Sequence, residues 1–466
     1  MARIAAIACT VTAITLAAAG CASHAAPPGT APAASARGPS AAHGGKGGTR
    51  QTAQPPACVP SSPAGPPGPV LATRDHFAGH AEPALAVSPR DPGNLLGAAQ
   101  FARPGSFTRV PGTFYSLDAG RTWHDNGPLP LPPGYGSGDD VSAAFDGGTG
   151  LVAAEIYRAD GSSSGVFVWR TTDGGRRFSR PVPVSVTSAG TDHPSLAVTT
   201  DPGGRPVAGI SWSQGPSLLF SRSADGGHTF SRPRVISAPG DQHPDLAVTV
   251  AGPRQALSVV YGAPTIRVTT SHNGGQAFAA PVTVPGALAA QGAQPYEVSL
   301  IGAAADPRTG TLSVTFAERT GQPARLRVVI THARAGGRWA TPAEVDPAAG
   351  GPGSDQFQPS MTATATGQLY VTYYTAAAGK VTEYLTQPGR HSRTRPLGSP
   401  FDPGCGLTAG VKHIPWLGDY QTLASSAGTV FAAWNDGGTG RLQILVDPIH
   451  PYATLSPDPV TAPATR

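Results

Sequence analysis

The amino-acid sequence predicts an all-β chain built from a repeated unit of short antiparallel strands. Three observations carry this. Glycine and proline supply 60 and 50 of the 466 residues, yet 39% of the chain is hydrophobic, enough for a core. Charged residues are only 13% of the chain, about half the usual share, which excludes long exposed helices laced with Glu and Lys. One pattern of turn residues recurs at a spacing of roughly 50 residues. The net charge of +5 is thin, and Lys stands only at Lys46, Lys380 and Lys412, so a nucleic-acid partner is not expected.

Residues 1–20 read as an export signal, with Arg3 ahead of an apolar run. Ala18-Ala19-Gly20-Cys21 resembles a bacterial lipobox. That resemblance implies acylation of the Cys21 thiol and a lipid anchor at the cell surface. The alternative is cleavage after Ser23-His24-Ala25 and free secretion. Residues 21–69, rich in Ala, Pro and Gly, are expected to form a disordered tether. No later apolar run is long enough to span a bilayer. Cys58 and Cys405 remain as an even pair, which favours a disulfide over two free thiols in an exported protein.

The repeat then sets the architecture. Ser116-Leu117-Asp118-Ala119-Gly120-Arg121-Thr122-Trp123 is echoed at Thr171–Phe178, Ser223–Phe230 and Ser271–Phe278. The acid or amide of each is Asp118, Asp173, Asp225 or Asn273. Such a side chain accepts backbone N–H bonds in a tight hairpin, and Gly takes the positive-φ position. A second series is independent of these hairpins. Apolar runs end in Phe101, Tyr157, Trp212, Tyr261, Phe316, Tyr374 and Trp434. Each unit reads as strand, turn, strand, loop, strand, hairpin, strand. Four antiparallel strands per unit make a propeller blade. The aromatic series predicts seven blades, with six as the alternative. The propeller spans residues 70–449, and 450–466 form a Pro-rich tail. The last unit lacks a fourth strand, and Val70–Thr73 is expected to complete it and close the ring. A Cys58–Cys405 bridge would staple that closure.

The hairpins closely resemble the Asp-box, or BNR repeat, of the sialidase superfamily. The resemblance covers the propeller and is carried by scaffold motifs. It implies an active site on the face opposite the boxes. Alternating strand directions place there the residues that open the innermost strands. These are Glu82, Asp140, His193, His243, Gln294 and Gln358, with Asp139, Asp192, Asp241, Asp419 and Tyr420 beside them. Glu82, Asp140, His193 and His243 are also metal-ligand types, although no spacing among them forms a metal motif. The two histidines are the metal candidates, and no cofactor motif is present.

Sialidase chemistry, by resemblance, needs three Arg for the substrate carboxylate, an acid/base carboxyl, and a Tyr nucleophile activated by Glu. The catalytic candidates are Tyr420, Asp419 and Glu318. The nearest match to the family's arginine motif is Arg109-Val110-Pro111, away from the expected position, so no Arg is expected at the mouth. Arg170, Arg222, Arg267 and Arg327 read as surface-facing. The strand-end aromatics read mainly as packing between blades, with Trp212 and Trp434 the best exceptions as sugar platforms, because polar residues follow them at once. The chain is therefore expected to be a monomeric, membrane-anchored binder of an extracellular glycan or cell-surface ligand. An exo-sialidase-type hydrolase and a protein-interaction scaffold are the alternatives.

Overall fold

The computed structural model describes residues 68–449, apart from 106–107, 242–246, 263, 290–300, 390–391, 410–413 and 427. The signal, Cys21, the tether with Cys58, His243, Gln294 and the tail lie outside the described residues.

Seven four-stranded antiparallel sheets form a seven-bladed propeller, which settles the count between six and seven. Blade 1 comprises Gly79–Val87, Leu95–Ala102, Arg109–Ser116 and His124–Pro128. Blade 2 comprises Tyr135–Asp146, Thr149–Arg158, Ser164–Thr171 and Val182–Thr187. Blade 3 comprises Thr191–Thr200, Pro206–Gln214, Ser217–Ser223 and Arg234–Val235. Blade 4 comprises Val248–Ala251, Leu257–Tyr261, Thr265–Ser271 and Val282–Ala287. Blade 5 comprises Gly302–Ala305, Leu312–Thr320, Arg325–Ala333 and Ala343–Glu344. Blade 6 comprises Asp355–Ala363, Leu369–Ala377, Lys380–Gln387 and Arg393–Pro396.

Blade 7 comprises Thr422–Ser426, Thr429–Asp436 and Gln443–Ile449, and its outermost strand is the N-terminal Val70–Leu71. Val70 pairs with Val446 and Leu71 with Leu445. Ala72 N–H then donates to Ile444 O at 2.9 Å, continuing the join. The first and last described strands thus share one sheet, so blade 7 has four strands like the other six. Between blades 6 and 7 lie a 3-10 turn at Pro403–Cys405 and a hairpin of Leu407–Ala409 and Ile414–Trp416.

Sequence explains the gradient across each blade. Second strands are covered on both sides by neighbouring blades and are mostly apolar; all eight residues of Leu95–Ala102 are buried. Outer strands meet water and alternate, as in His124–Pro128. Glycine lets aromatics cross the sheet: Gly97 pairs with Phe114, and a Cβ at Gly97 would collide with that ring. Six of the seven strand-end aromatics, among them Trp212 and Trp434, are fully buried. Both tryptophans are therefore packing residues between blades and cannot serve as sugar platforms.

The Asp-boxes repeat one bonding scheme. In blade 3, Ser223 Oγ donates to Asp225 Oδ1 at 2.7 Å, and the Thr229 N–H donates to the same oxygen at 3.0 Å. Gly227 N–H donates to Ser223 Oγ at 2.8 Å. Blade 4 reproduces this with Asn273, which accepts from Ser271 Oγ and the Ala277 N–H, both at 2.9 Å. Arg170 and Arg222 are more than surface-facing. Each reaches the next blade's box, Arg170 to Gly226 O at 2.5 Å and Arg222 to Gly274 O at 3.1 Å. Sequence spacing fixed their strand but not the neighbouring loop they meet.

Candidate functional site

The innermost strands open with an irregularity shared by four blades. The register shifts between Ala81 and Ala84, Asp139 and Val141, Asp192 and Ser195, and Phe357 and Ser360. At each shift stands one non-glycine residue with positive φ: Glu82 at 58°, Asp140 at 47°, His193 at 50° and Gln358 at 52°. The other four such residues among those described stand in turns. A proline follows three of the four, and proline within a sheet favours a bulge because it donates no ladder bond. A bulge re-aims a side chain and breaks the alternation of faces. The left-handed conformation costs about 1–3 kcal/mol at each such residue, and the ring of blades holds it four times over.

Acids from blades 1, 2 and 3 and from the connection into blade 7 converge at this mouth. Glu82 is fully buried and accepts from the Asp419 N–H at 3.1 Å and from Gln100 Nε2. Burial, with the charges of Asp419 and Asp139, pushes its carboxyl well above the usual range, against Arg109 and Asp140. Burial also raises Asp139 to about 6, although Tyr157 Oη donates to it at 2.9 Å and Arg109 opposes the shift. Asp140 is raised by burial and by the charges of Glu82, Asp192 and Asp139. Glu155 is fully buried, pairs in register with Asp139, and accepts from Thr191 Oγ1 at 2.7 Å. Burial, Asp139 and Asp192 raise it as well.

Arg109 is the correction that matters most here. Its strand starts on the mouth face, so its guanidinium acts on Glu82 and Asp139 and lies 4.3 Å from the Trp416 ring centroid. Trp416 Nε1 in turn donates to Asp419 Oδ1 at 2.8 Å. The arginine motif was judged by its place along the chain, whereas strand polarity decides which face it reaches.

Tyr420 crosses the channel. Its hydroxyl donates to Val141 O of blade 2 at 3.0 Å, and its ring meets His193 edge-on at 5.1 Å. Burial pushes the hydroxyl far above its ordinary pKa, which suits a plug better than a nucleophile. Both ring nitrogens of His193 are buried, and burial, opposed by the Ala247 backbone, pushes the ring down to about 4. Gln358 Nε2 donates to Gly418 O, and Gln421 Nε2 donates to Gln358 O at 2.6 Å.

Two predicted residues lie apart from this cluster. Asp241 is held within its own blade by Arg267 at 2.7 Å and by Tyr261 Oη at 2.6 Å. It borders a separate cavity of about 250 Å³. Glu318 has the Ala287 backbone and Glu344 as its neighbours, so it forms no set with Asp419 and Tyr420. On the box face, between blades 4 and 5, a cavity of about 550 Å³ is bordered by Arg254, Arg308, Arg334, His272 and Trp339.

No protein-family model and no curated protein matches the chain. Solved structures do resemble it in fold, sialidases and related propellers among them. A Dyadobacter fermentans protein of unknown function is 15% identical with a TM-score of 0.45, over 72% of this chain and 98% of that one. Penicillium chrysogenum alpha-L-arabinanase complexed with arabinobiose is 11% identical with a TM-score of 0.44, over 83% and 98%. Trypanosoma rangeli sialidase in complex with the inhibitor DANA is 12% identical with a TM-score of 0.43, over 67% and 56%.

Proposed function

We propose that this chain is an exported propeller that binds an extracellular glycan at its acidic channel mouth. The observation that supports the reading is the convergence of Glu82, Asp139, Asp140 and Asp192 at strained inner-strand bulges of three blades, with Asp419 joining them from the connection into blade 7. Strain and buried charge both oppose folding, and their coincidence in one polar place is a mark of function. Carboxylates accept hydrogen bonds from sugar hydroxyls, and Arg109, stacked on the buried Trp416 ring, adds a donor beside them. The excess of acid favours a neutral or amino sugar and repels a sialic acid carboxylate.

A second reading is glycoside hydrolysis. It is favoured by Asp139, which holds its proton to about pH 6 beside Asp140 and Glu155, as a general acid next to a second carboxylate would. The three-arginine clamp of sialidases has one counterpart among the described mouth residues, Arg109. A glycan array tests the first reading. Neutral or amino glycans should be retained by the wild-type chain and lost by Asp192→Ala/His193→Ala. Exclusive binding of sialosides, or binding that survives the double substitution, would overturn it. Turnover of a fluorogenic glycoside, abolished by Asp139→Asn, would establish the hydrolase instead. Export with a lipid on Cys21 is part of the proposal: labelled palmitate should enter the wild-type chain and not Cys21→Ser. A Cys58–Cys405 disulfide and a monomeric state complete it.

A further inference from the structure

We propose that the mouth holds a divalent cation of the calcium class, ligated by Asp139, Asp140 and Glu155. One oxygen from each of the three lies within 4.8 Å of the others. Two oxygens bound to one calcium ion at about 2.4 Å cannot be farther apart than that separation. The bulge at Asp140 makes this possible. Adjacent residues of a regular strand face opposite sides, and the shifted register turns Asp139 and Asp140 to the same place. Cross-strand pairing then sets Glu155 opposite Asp139.

An independent observation points to a ligand. Glu155 is fully buried; its Oε1 accepts from Thr191, and its Oε2 has no donor of its own, because the Tyr157 hydroxyl beside it gives its proton to Asp139. A buried orphan carboxylate oxygen is costly unless something positive meets it. The charges of Glu82, Asp192 and Asp139 also crowd Asp140, and acids crowded in this way are eased by a shared proton or a cation. The donor set is all oxygen, which selects a hard ion over zinc.

The other acid–histidine group makes the contrast. Asp75, His80 and Asp125 also come close together. There Asp75 accepts from the Phe77 N–H and lies 3.1 Å from His80 Nε2, and Asp125 accepts from the backbone N–H groups of Arg74 and Gly127. That group is already satisfied by its own chain. The mouth group is not.

The cation goes beyond the glycan reading and is measured without any sugar, so either can fail alone. Terbium added to the wild-type protein should show emission sensitised by nearby tyrosine, Tyr157 foremost, and calcium should displace it. Calorimetry with calcium chloride should give one site per chain. Glu155→Gln should weaken that site at least tenfold, and Asp225→Asn, on the opposite face, should leave it unchanged. The absence of terbium emission and of calcium heat up to about 10 mM, roughly tenfold beyond the weak end for extracellular sites, would overturn the proposal. So would calcium binding that is unaltered in Glu155→Gln, or zinc binding more tightly than calcium at this site.

Discussion

Asp225 and Asp139 are the same side chain at opposite ends of adjacent blades, and they titrate in opposite directions. Burial acts to raise both. At Asp225, in the box hairpin, bonds from Thr229, Ser223 and His228 outweigh it and hold the carboxyl at about 2. At Asp139 burial wins over the single Tyr157 bond and the Arg109 charge, and the carboxyl rises to about 6. The difference separates two uses of charge. Box acids are surrounded by donors from their own turn and stabilise it. Mouth acids are crowded with other acids, so the fold carries them at a cost.

That contrast can be broken or sharpened by substitution. The largest effect belongs to neither end but to the packing between them. Trp434→Ala should lower unfolding free energy by about 3–5 kcal/mol in a urea titration, since the ring is fully buried. A loss of glycan binding with stability intact would restore it as a sugar platform. Next comes the box. Asp225→Ala removes the acceptor of the Thr229 and Ser223 bonds and should cost about 1–2 kcal/mol. Asp225→Asn should cost much less, because Asn273 already fills that role in blade 4.

At the mouth the sign should reverse. Asp140→Gly removes a buried acid and relieves a φ of 47°, so in EDTA it should stabilise by about 1 kcal/mol. A destabilised variant would mean the mouth acids are structural after all. The smallest effect is the pH response of the box. Asp225 has a depressed pKa in the folded state, so its contribution is present above the unfolded value of about 4. It is lost as pH falls towards about 2. The stability gap between wild type and Asp225→Asn should therefore close between pH 5 and pH 2, and by well under 1 kcal/mol because solvent screens the site.

Much of the fold was legible because its signals are local. Each box pairs a side chain with donors four residues on, and that spacing survives in the sequence as Ser or Thr, x, Asp or Asn, x, Gly. The closure by Val70–Leu71 was legible by counting, since the last unit lacked a strand. At the mouth, Glu82, His193 and Gln358 could be found because each precedes a proline. The rest depended on register and polarity. Blade 2 has Val141 where other blades have proline, so its bulge, and with it the Asp139–Glu155 pairing, left no mark in the sequence. Arg109 and Trp416 come from a third strand and an inserted hairpin, and only the ring of blades brings them together. Asp241 was misplaced for the converse reason: its ion pair with Arg267 lies within its own blade.

The central claim is that the mouth charges are held against stability. The most direct measurement is urea unfolding of Glu155→Gln beside wild type at pH 7 in EDTA. Gln keeps the Thr191 bond on its oxygen and replaces an orphan oxygen with a donor facing Asp139 and Asp140. The account predicts a variant at least as stable as wild type, by up to about 1 kcal/mol. A loss of more than about 1 kcal/mol would contradict it, and would place Glu155 among the residues that hold the blades together.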